Sequence, residues 1–76
     1  MERYLNINGT SSIVSYETTI DSIHVVFESG RFRNYLYNHA RPGKQVVDRM
    51  KALAAQGFGL TSYIGTTVRA AYARKW

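Results

Sequence analysis

The spacing of apolar residues changes once along this chain, and that change limits the folds open to it. Ile23, Val25 and Phe27 recur at every second position, which is the period of a half-buried strand. Beyond Pro42 the apolar residues recur instead at helical spacing and form one stripe: Val46, Val47, Met50, Leu53 and Ala54. Strands in the first half and a helix in the second half predict a fold of the α+β class.

The first half of the chain predicts three strands. Residues 12–17 (SIVSYE) mix β-branched and aromatic residues, a composition typical of a strand. Residues 23–28 form the second strand, and the Ser29-Gly30 that follows suits a tight hairpin turn, because glycine adopts positive φ without strain. Residues 31–37 (RFRNYLY) then resume the alternation. Connections this short exclude parallel crossovers, so we predict a three-stranded antiparallel β-meander.

The second half predicts one amphipathic helix followed by a shorter C-terminal helix. Pro42 fits the first helical turn, where its missing N–H loses no hydrogen bond, and Gly57 fits the position that ends the helix. A short helix then starts near Leu60 and breaks near Gly65, since glycine costs about 1 kcal/mol inside a helix. Residues 69–76 either continue this helix or run extended against the sheet, and the sequence leaves both courses open.

The length and the absence of cysteine bound the class of protein. The 76 residues predict a single domain over residues 1–76, and without cysteine neither a disulfide framework nor a cysteine-based zinc site can stabilise it. The missing cysteines fit a reducing compartment, so we expect a cytoplasmic location. No apolar run reaches about 18 residues, so we expect no membrane span. Glu2 and Arg3, with no apolar stretch behind them, predict no signal peptide.

Positive charge is concentrated in the second half of the chain. Residues 1–38 contain three basic and four acidic residues, whereas residues 39–76 contain seven basic residues and one acidic residue. The net charge of +5 therefore divides into −1 and +6. This distribution favours a polyanionic partner for the second half. Charge that serves solubility alone is the other interpretation.

Two groups of residues are the candidate nucleic-acid contacts. The first is one face of the third predicted strand, where basic and aromatic residues alternate: Arg31, Arg33, Tyr35 and Tyr37. The second is the basic side of the helix and the tail: Lys44, Arg49, Lys51, Arg69, Arg74 and Lys75. Bases stack on tyrosine rings and arginine planes, and Arg and Lys neutralise phosphates. The alternative is that the two tyrosines belong to the core and that the basic residues are solvated charges.

The order of several short motifs resembles the KTSC domain, which occurs at the C-terminus of some lysyl-tRNA synthetases and as a stand-alone small bacterial protein. The matching motifs cover roughly residues 11–64: Ser11-Ser12-Ile13, Phe27-Glu28-Ser29-Gly30, Tyr35-Leu36-Tyr37 and Val46-Val47-Asp48-Arg49-Met50. The resemblance implies a KTSC-like domain with a meander, a proline-started helix and a short final helix. That family has no established activity, and its synthetase context suggests RNA binding.

Catalytic chemistry has little support in the sequence. His24 and His39 lie on different predicted elements, and no nucleophile elbow, phosphate loop or zinc-ligand spacing is present. We therefore predict a small non-catalytic binding module with no metal and no cofactor. RNA or single-stranded nucleic acid is the expected partner. The alternative is a module for protein–protein interaction or homo-oligomerisation, which an uncovered strand edge or sheet face favours.

Overall fold

An antiparallel sheet and two helices make up the part of the chain that the computed structural model describes, residues 1–7, 9 and 11–76. The strands are β1 (Glu2–Arg3), β2 (Ile13–Thr19), β3 (Ser22–Phe27), β4 (Asn34–Asn38) and β5 (Arg74–Lys75), and they lie in the sheet in chain order. Helix α1 (Lys44–Gln56) and helix α2 (Leu60–Tyr63) separate β4 from β5. Neither is long and apolar enough to cross a membrane. The predicted α+β class is confirmed.

The sheet has five strands and not the three predicted for the meander, because a short strand pairs at each edge. β1 pairs with β2 through Glu2 opposite Tyr16, and β5 pairs with β4 through Lys75 opposite Tyr35. Both added strands have two residues and carry charged side chains instead of the β-branched and aromatic residues that favour strands. Their pairing is set by partners distant in sequence, which a local alternation pattern does not show.

The connection between β3 and β4 is longer than the predicted tight turn. β4 begins at Asn34, so Arg31 and Arg33 lie in the loop 28–33 and not on a strand face. The amides of Arg33 and Asn34 both donate to the Trp76 carbonyl, at 3.2 and 3.0 Å. The backbone at this end of β4 is therefore paired with the tail, and the strand predicted for residues 31–37 is wrong over its first three residues.

Helix α1 ends where the sequence predicts but begins later. Gly57 stands at φ 89° and its amide donates back into the last helical turn at 3.0 Å, which confirms the predicted C-terminal glycine. A side chain there would lie 2.8 Å from the Leu5 β-carbon, so the close approach of the N-terminal segment also favours glycine. The first helical residue is Lys44. Pro42 lies outside the first helical turn, contrary to prediction, because Gly43 intervenes at a non-helical φ of 116°.

The C-terminal part leaves helical structure in two steps. α-Helical structure ends at Tyr63, but helical structure continues through Gly65, so the chain does not break at the predicted glycine. The next residues, Ile64–Val68, form one π-helical turn, a wider turn that frequently occurs at functional sites. Arg69 and Ala70 form a turn, and the chain then reaches the edge of the sheet, where Arg74–Lys75 pairs with β4 as β5. Of the two courses left open for residues 69–76, the extended one is confirmed.

The core lies between α1 and one face of the sheet. Its largest fully buried side chains come from the strands, from α1 and from the start of α2: Ile23, Val25, Tyr37, Val47, Met50 and Leu60. Those on the strands define the inner face of the sheet. Because side chains alternate along a strand, the cross-strand pair His24 and Leu36 lies on the opposite, outer face. The apolar stripe predicted for α1 is confirmed as its buried side.

Candidate functional site

A cleft of about 540 Å³ opens at the inner side of β5, and we call it the aromatic cleft. Its walls come from residues 29–32 of the loop 28–33, from Ile64 at the start of the π-helical turn with Arg69 and Ala70 beyond it, and from Lys75 of β5. This volume falls in the range of roughly 300–1,000 Å³ that is typical of small-ligand sites. The side chains that give it its character are aromatic or cationic: Phe27, Phe32, Tyr35, Tyr37 and Tyr72, and Arg31, Arg69 and Lys75.

Three aromatic rings form one continuous wall of the cleft. The Tyr35 ring meets the Phe27 ring edge-on, with centroids 5.2 Å apart, and meets the Tyr72 ring edge-on at 5.3 Å. Strand pairing of Tyr35 with Lys75 brings the tail, and with it Tyr72, to this wall. Edge-to-face contacts of this kind stabilise ring pairs beyond the area that they bury. The wall is therefore held in place before any ligand arrives.

Lys75 lies between two rings at the mouth of the cleft. Its ammonium nitrogen is 4.8 Å from the centroid of Phe32 and 5.1 Å from that of Tyr72, both within cation–π range. Hydrogen bonding to Tyr72 is the main cause that raises the pKa of the Lys75 ammonium above its usual value. Lys75 therefore keeps its positive charge throughout the neutral pH range.

The cleft is cationic without compensating acids. The Arg31 guanidinium carbon lies 5.7 Å from the Phe32 centroid, so a second cation stands beside the same ring as Lys75. Arg69 adds a third positive charge to the lining. Among the described residues that line the cleft, none is Asp or Glu. The site thus combines flat apolar surface with uncompensated positive charge, a combination that fits a planar ligand carrying anionic groups.

Arg69 enters the cleft from a strained backbone. It follows the π-helical turn with φ 51° and ψ −124°, a conformation that residues other than glycine seldom adopt. Such strain costs on the order of 1–3 kcal/mol and concentrates at binding and active sites. The side chain is steadied by donation from Nε to the Thr66 carbonyl at 3.4 Å. The strained segment therefore presents a cation to the cleft.

The structure brings five of the ten predicted contact residues together in the cleft: Arg31, Tyr35, Tyr37, Arg69 and Lys75. It places the other five elsewhere. Arg33 lies in the loop 28–33, where its Nε donates to the Phe27 carbonyl at 3.2 Å. Lys44, Arg49 and Lys51 lie on α1, and Arg74 points to the outer face opposite Leu36.

Tyr35 and Tyr37 share the inner face but have different environments. Tyr37 is only 1% exposed, and burial raises the pKa of its hydroxyl well above the usual value. It belongs to the core and forms the floor of the cleft, so it cannot serve as an exposed stacking platform. Tyr35 is half-buried and contributes to both the core and the wall. Of the two interpretations of this tyrosine pair, the core interpretation applies fully to Tyr37.

Two of the three basic residues on α1, Lys44 and Lys51, are engaged in local contacts. The Lys44 ammonium is 2.6 Å from the Asp48 carboxylate, and this hydrogen bond lowers the pKa of the Asp48 carboxyl below its ordinary value. Lys51 donates to the Thr19 carbonyl at 2.6 Å and to the Ile20 carbonyl at 3.3 Å, which ties α1 to the turn between β2 and β3. These contacts are structural, and no aromatic wall stands beside them in the described chain.

Sequence reasoning missed three rings of the cleft. The sequence places Phe27 and Phe32 on predicted strands, with Phe32 on the face opposite Tyr35, and gives Tyr72 no predicted part in binding. Phe27 carried a usable signal, because it shares the inner-face alternation of Ile23 and Val25. Tyr72 carried none, since its position depends on the tail pairing with β4.

Comparison with known proteins assigns the chain to no family. No protein-family model, no curated protein and no solved structure matches the chain. The resemblance to the KTSC domain therefore stays a prediction, and the chemistry of the cleft carries the functional proposal.

Proposed function

We propose that the protein is a non-catalytic module that binds single-stranded nucleic acid through the aromatic cleft. The observation that carries this proposal is the grouping of Arg31, Arg69 and Lys75 around an aromatic wall with no carboxylate among the described lining residues. A nucleotide offers the complementary features, a flat base and an anionic phosphate. Stacking of a base on an aromatic ring contributes about 1–3 kcal/mol, and the cations neutralise the phosphates.

The shape of the cleft favours a single strand over a duplex. A base within a duplex is stacked on both faces and paired at its edge, so it cannot enter a concave site without being extruded. Residues 29–32 of the loop 28–33 and Ile64 of the π-helical turn line the cleft beside this wall. An unpaired base reaches the Tyr72 and Phe32 rings at no such energetic cost.

Binding to labelled single strands across a salt series tests the proposal. Fluorescence anisotropy with single-stranded RNA and DNA should show affinity that falls with salt, with a slope near −0.7 per phosphate contacted in a plot of log K against log[salt]. A preference for RNA over DNA would indicate contacts to the 2′-hydroxyl groups. A duplex of the same sequence should bind more weakly at every salt concentration.

A matched pair of arginine substitutions locates the binding surface. Arg31 and Arg49 are both exposed, but only Arg31 lines the cleft. Arg31→Gln should weaken binding several-fold, whereas Arg49→Gln, which removes the same charge from α1, should leave the affinity nearly unchanged. Equal losses of affinity in the two variants would mean that net charge alone drives binding, and would contradict the cleft as the binding site.

The absence of binding at low salt, where electrostatic attraction is strongest, would end the nucleic-acid proposal. The alternative role in protein–protein interaction or homo-oligomerisation would then lead. Light scattering at two protein concentrations tests homo-oligomerisation directly, since a molar mass that rises with concentration identifies self-association.

A further inference from the structure

The outer face of β5 carries a second aromatic and basic cluster, separate from the cleft. Side chains alternate along a strand, so Lys75 points into the cleft while its neighbours Arg74 and Trp76 point to the outer face. The Arg74 guanidinium carbon lies 5.2 Å from the centroid of the Trp76 ring. The His24 ring lies 5.0 Å from the same indole, with an angle of 34° between the ring planes.

Backbone hydrogen bonds hold Trp76 in this position. Its amide donates to the Asn34 carbonyl at 2.9 Å, and its carbonyl accepts from the Arg33 and Asn34 amides. His24 is fixed as well, because its Nε2 lies 2.9 Å from the Asn34 side-chain oxygen. Trp76 as a whole residue nevertheless remains 45% exposed. A large aromatic residue that is anchored by its backbone and remains partly exposed offers surface to a ligand.

The charge around the indole favours an anionic ligand. One row of paired residues crosses the outer face from β2 to β5: Glu17, His24, Leu36 and Arg74. The carboxylate of this row, Glu17, lies on β2, and β3 and β4 separate it from Arg74. The end of the row beside Trp76 is therefore cationic.

We propose that Trp76, with Arg74 and His24, forms a second stacking site for the strand of nucleic acid that enters the aromatic cleft. This inference rests on the proposed function. Lys75 and Trp76 are consecutive residues, so only one edge strand of two residues separates the two sites. A flexible single strand passes around such an edge within a few nucleotides. One strand then stacks a base in the cleft and another base on the indole.

Trp76 itself reports on this contact, because it is the one tryptophan in the chain. Titration with a single-stranded oligonucleotide of about ten nucleotides, within the span of known single-strand sites, should quench its fluorescence in step with the rise in anisotropy. Trp76→Ala should weaken the affinity for that oligonucleotide about 5- to 150-fold, the equivalent of one lost base stack. Trp76→Phe, which keeps an aromatic ring, should retain most of the affinity.

The outcomes separate this inference from the proposed function. If the oligonucleotide binds while Trp76 emission stays constant and Trp76→Ala binds as well as the wild type, the second site is absent and the cleft proposal stands. If the wild type binds no oligonucleotide at low salt, both proposals fail. Quenching in the wild type together with retained affinity in Trp76→Phe supports the second site even if Trp76→Ala does not fold.

Discussion

The cations of the aromatic cleft and those of α1 look alike in sequence but stand in different surroundings. In the cleft, Lys75 lies between the Phe32 and Tyr72 rings, and no carboxylate is present among the described lining residues. On α1, Lys44 is paired with Asp48, and Lys51 is bound to backbone carbonyls. Positive charge is therefore a poor guide to a binding surface. What surrounds the charge decides whether it is available to a ligand.

The largest expected effect concerns the floor of the cleft. Tyr37→Ala should lower the free energy of unfolding by about 3–5 kcal/mol, as for other large buried aromatic residues, because it leaves a cavity under Tyr35 and the α1 stripe. Chemical denaturation measures this loss. Tyr37→Phe is the control: it keeps the ring and should preserve most of the stability and all of the oligonucleotide affinity. A large loss of affinity in a stable Tyr37→Phe variant would show that the hydroxyl contacts the ligand.

The next largest effect concerns Tyr72 in the aromatic wall of the cleft. Tyr72→Ala should reduce the affinity for single-stranded oligonucleotide about 5- to 150-fold, because it removes one stacking ring of the wall. Its effect on stability should be much smaller than that of Tyr37→Ala, since Tyr72 is only half-buried. Anisotropy titration and a denaturation curve on the same preparation measure the two quantities. Unchanged affinity in the folded variant would contradict a stacking role for this ring.

The salt dependence of binding distinguishes a lysine of the cleft, Lys75, from a lysine of α1, Lys44. Lys75→Gln should make the slope of log K against log[salt] less steep by roughly 0.7, the contribution of one phosphate contact on a single strand. Lys44→Gln should leave the slope unchanged, because its ammonium is paired with Asp48. Affinities at four or more salt concentrations give both slopes. If the Lys44 variant changes the slope as much as the Lys75 variant, α1 takes part in binding.

The smallest effect is the pH dependence of the Lys44–Asp48 pair. The pKa of Asp48 is lowered in the folded state, so the pair stabilises the fold above the ordinary carboxyl pKa, and that stabilisation is lost as pH falls through the lowered value. The pair is exposed, so the change in Tm on acidification should be slight. Asp48→Asn should remove this small contribution to the change in Tm on acidification, and it should leave the oligonucleotide affinity unchanged. A Tm difference between the variants that persists at pH 2 would point to another cause.

The local features of the fold were predictable, while the pairing of the tail was not. The α1 stripe and Gly57 follow from periodicity and from the glycine preference of helix ends, both of which act within a few residues. β5 consists of Arg74 and Lys75, whose extended course depends on hydrogen bonds with β4. No pattern within residues 69–76 contains that information, so both courses had to stay open.

The cleft was half predictable for the same reason. The alternation that placed Tyr35 and Tyr37 on one face is correct, but alternation gives the face of a residue and not its depth. Arg31 reached the cleft through a loop and not through the predicted strand. Tyr72 and Arg69 came from the tail and the π-helical turn, whose positions depend on the folded sheet.

A titration of the ¹⁵N-labelled protein with a single-stranded oligonucleotide, followed by NMR, tests the central claim most directly. The account predicts that the amide signals of Gly30, Arg31, Phe32, Tyr72 and Lys75 shift together on binding. The chemical shifts of the Lys44 and Arg49 amides on α1 should not change on binding. Shifts centred on α1 with an unchanged cleft, or no shifts at low salt, would contradict the account.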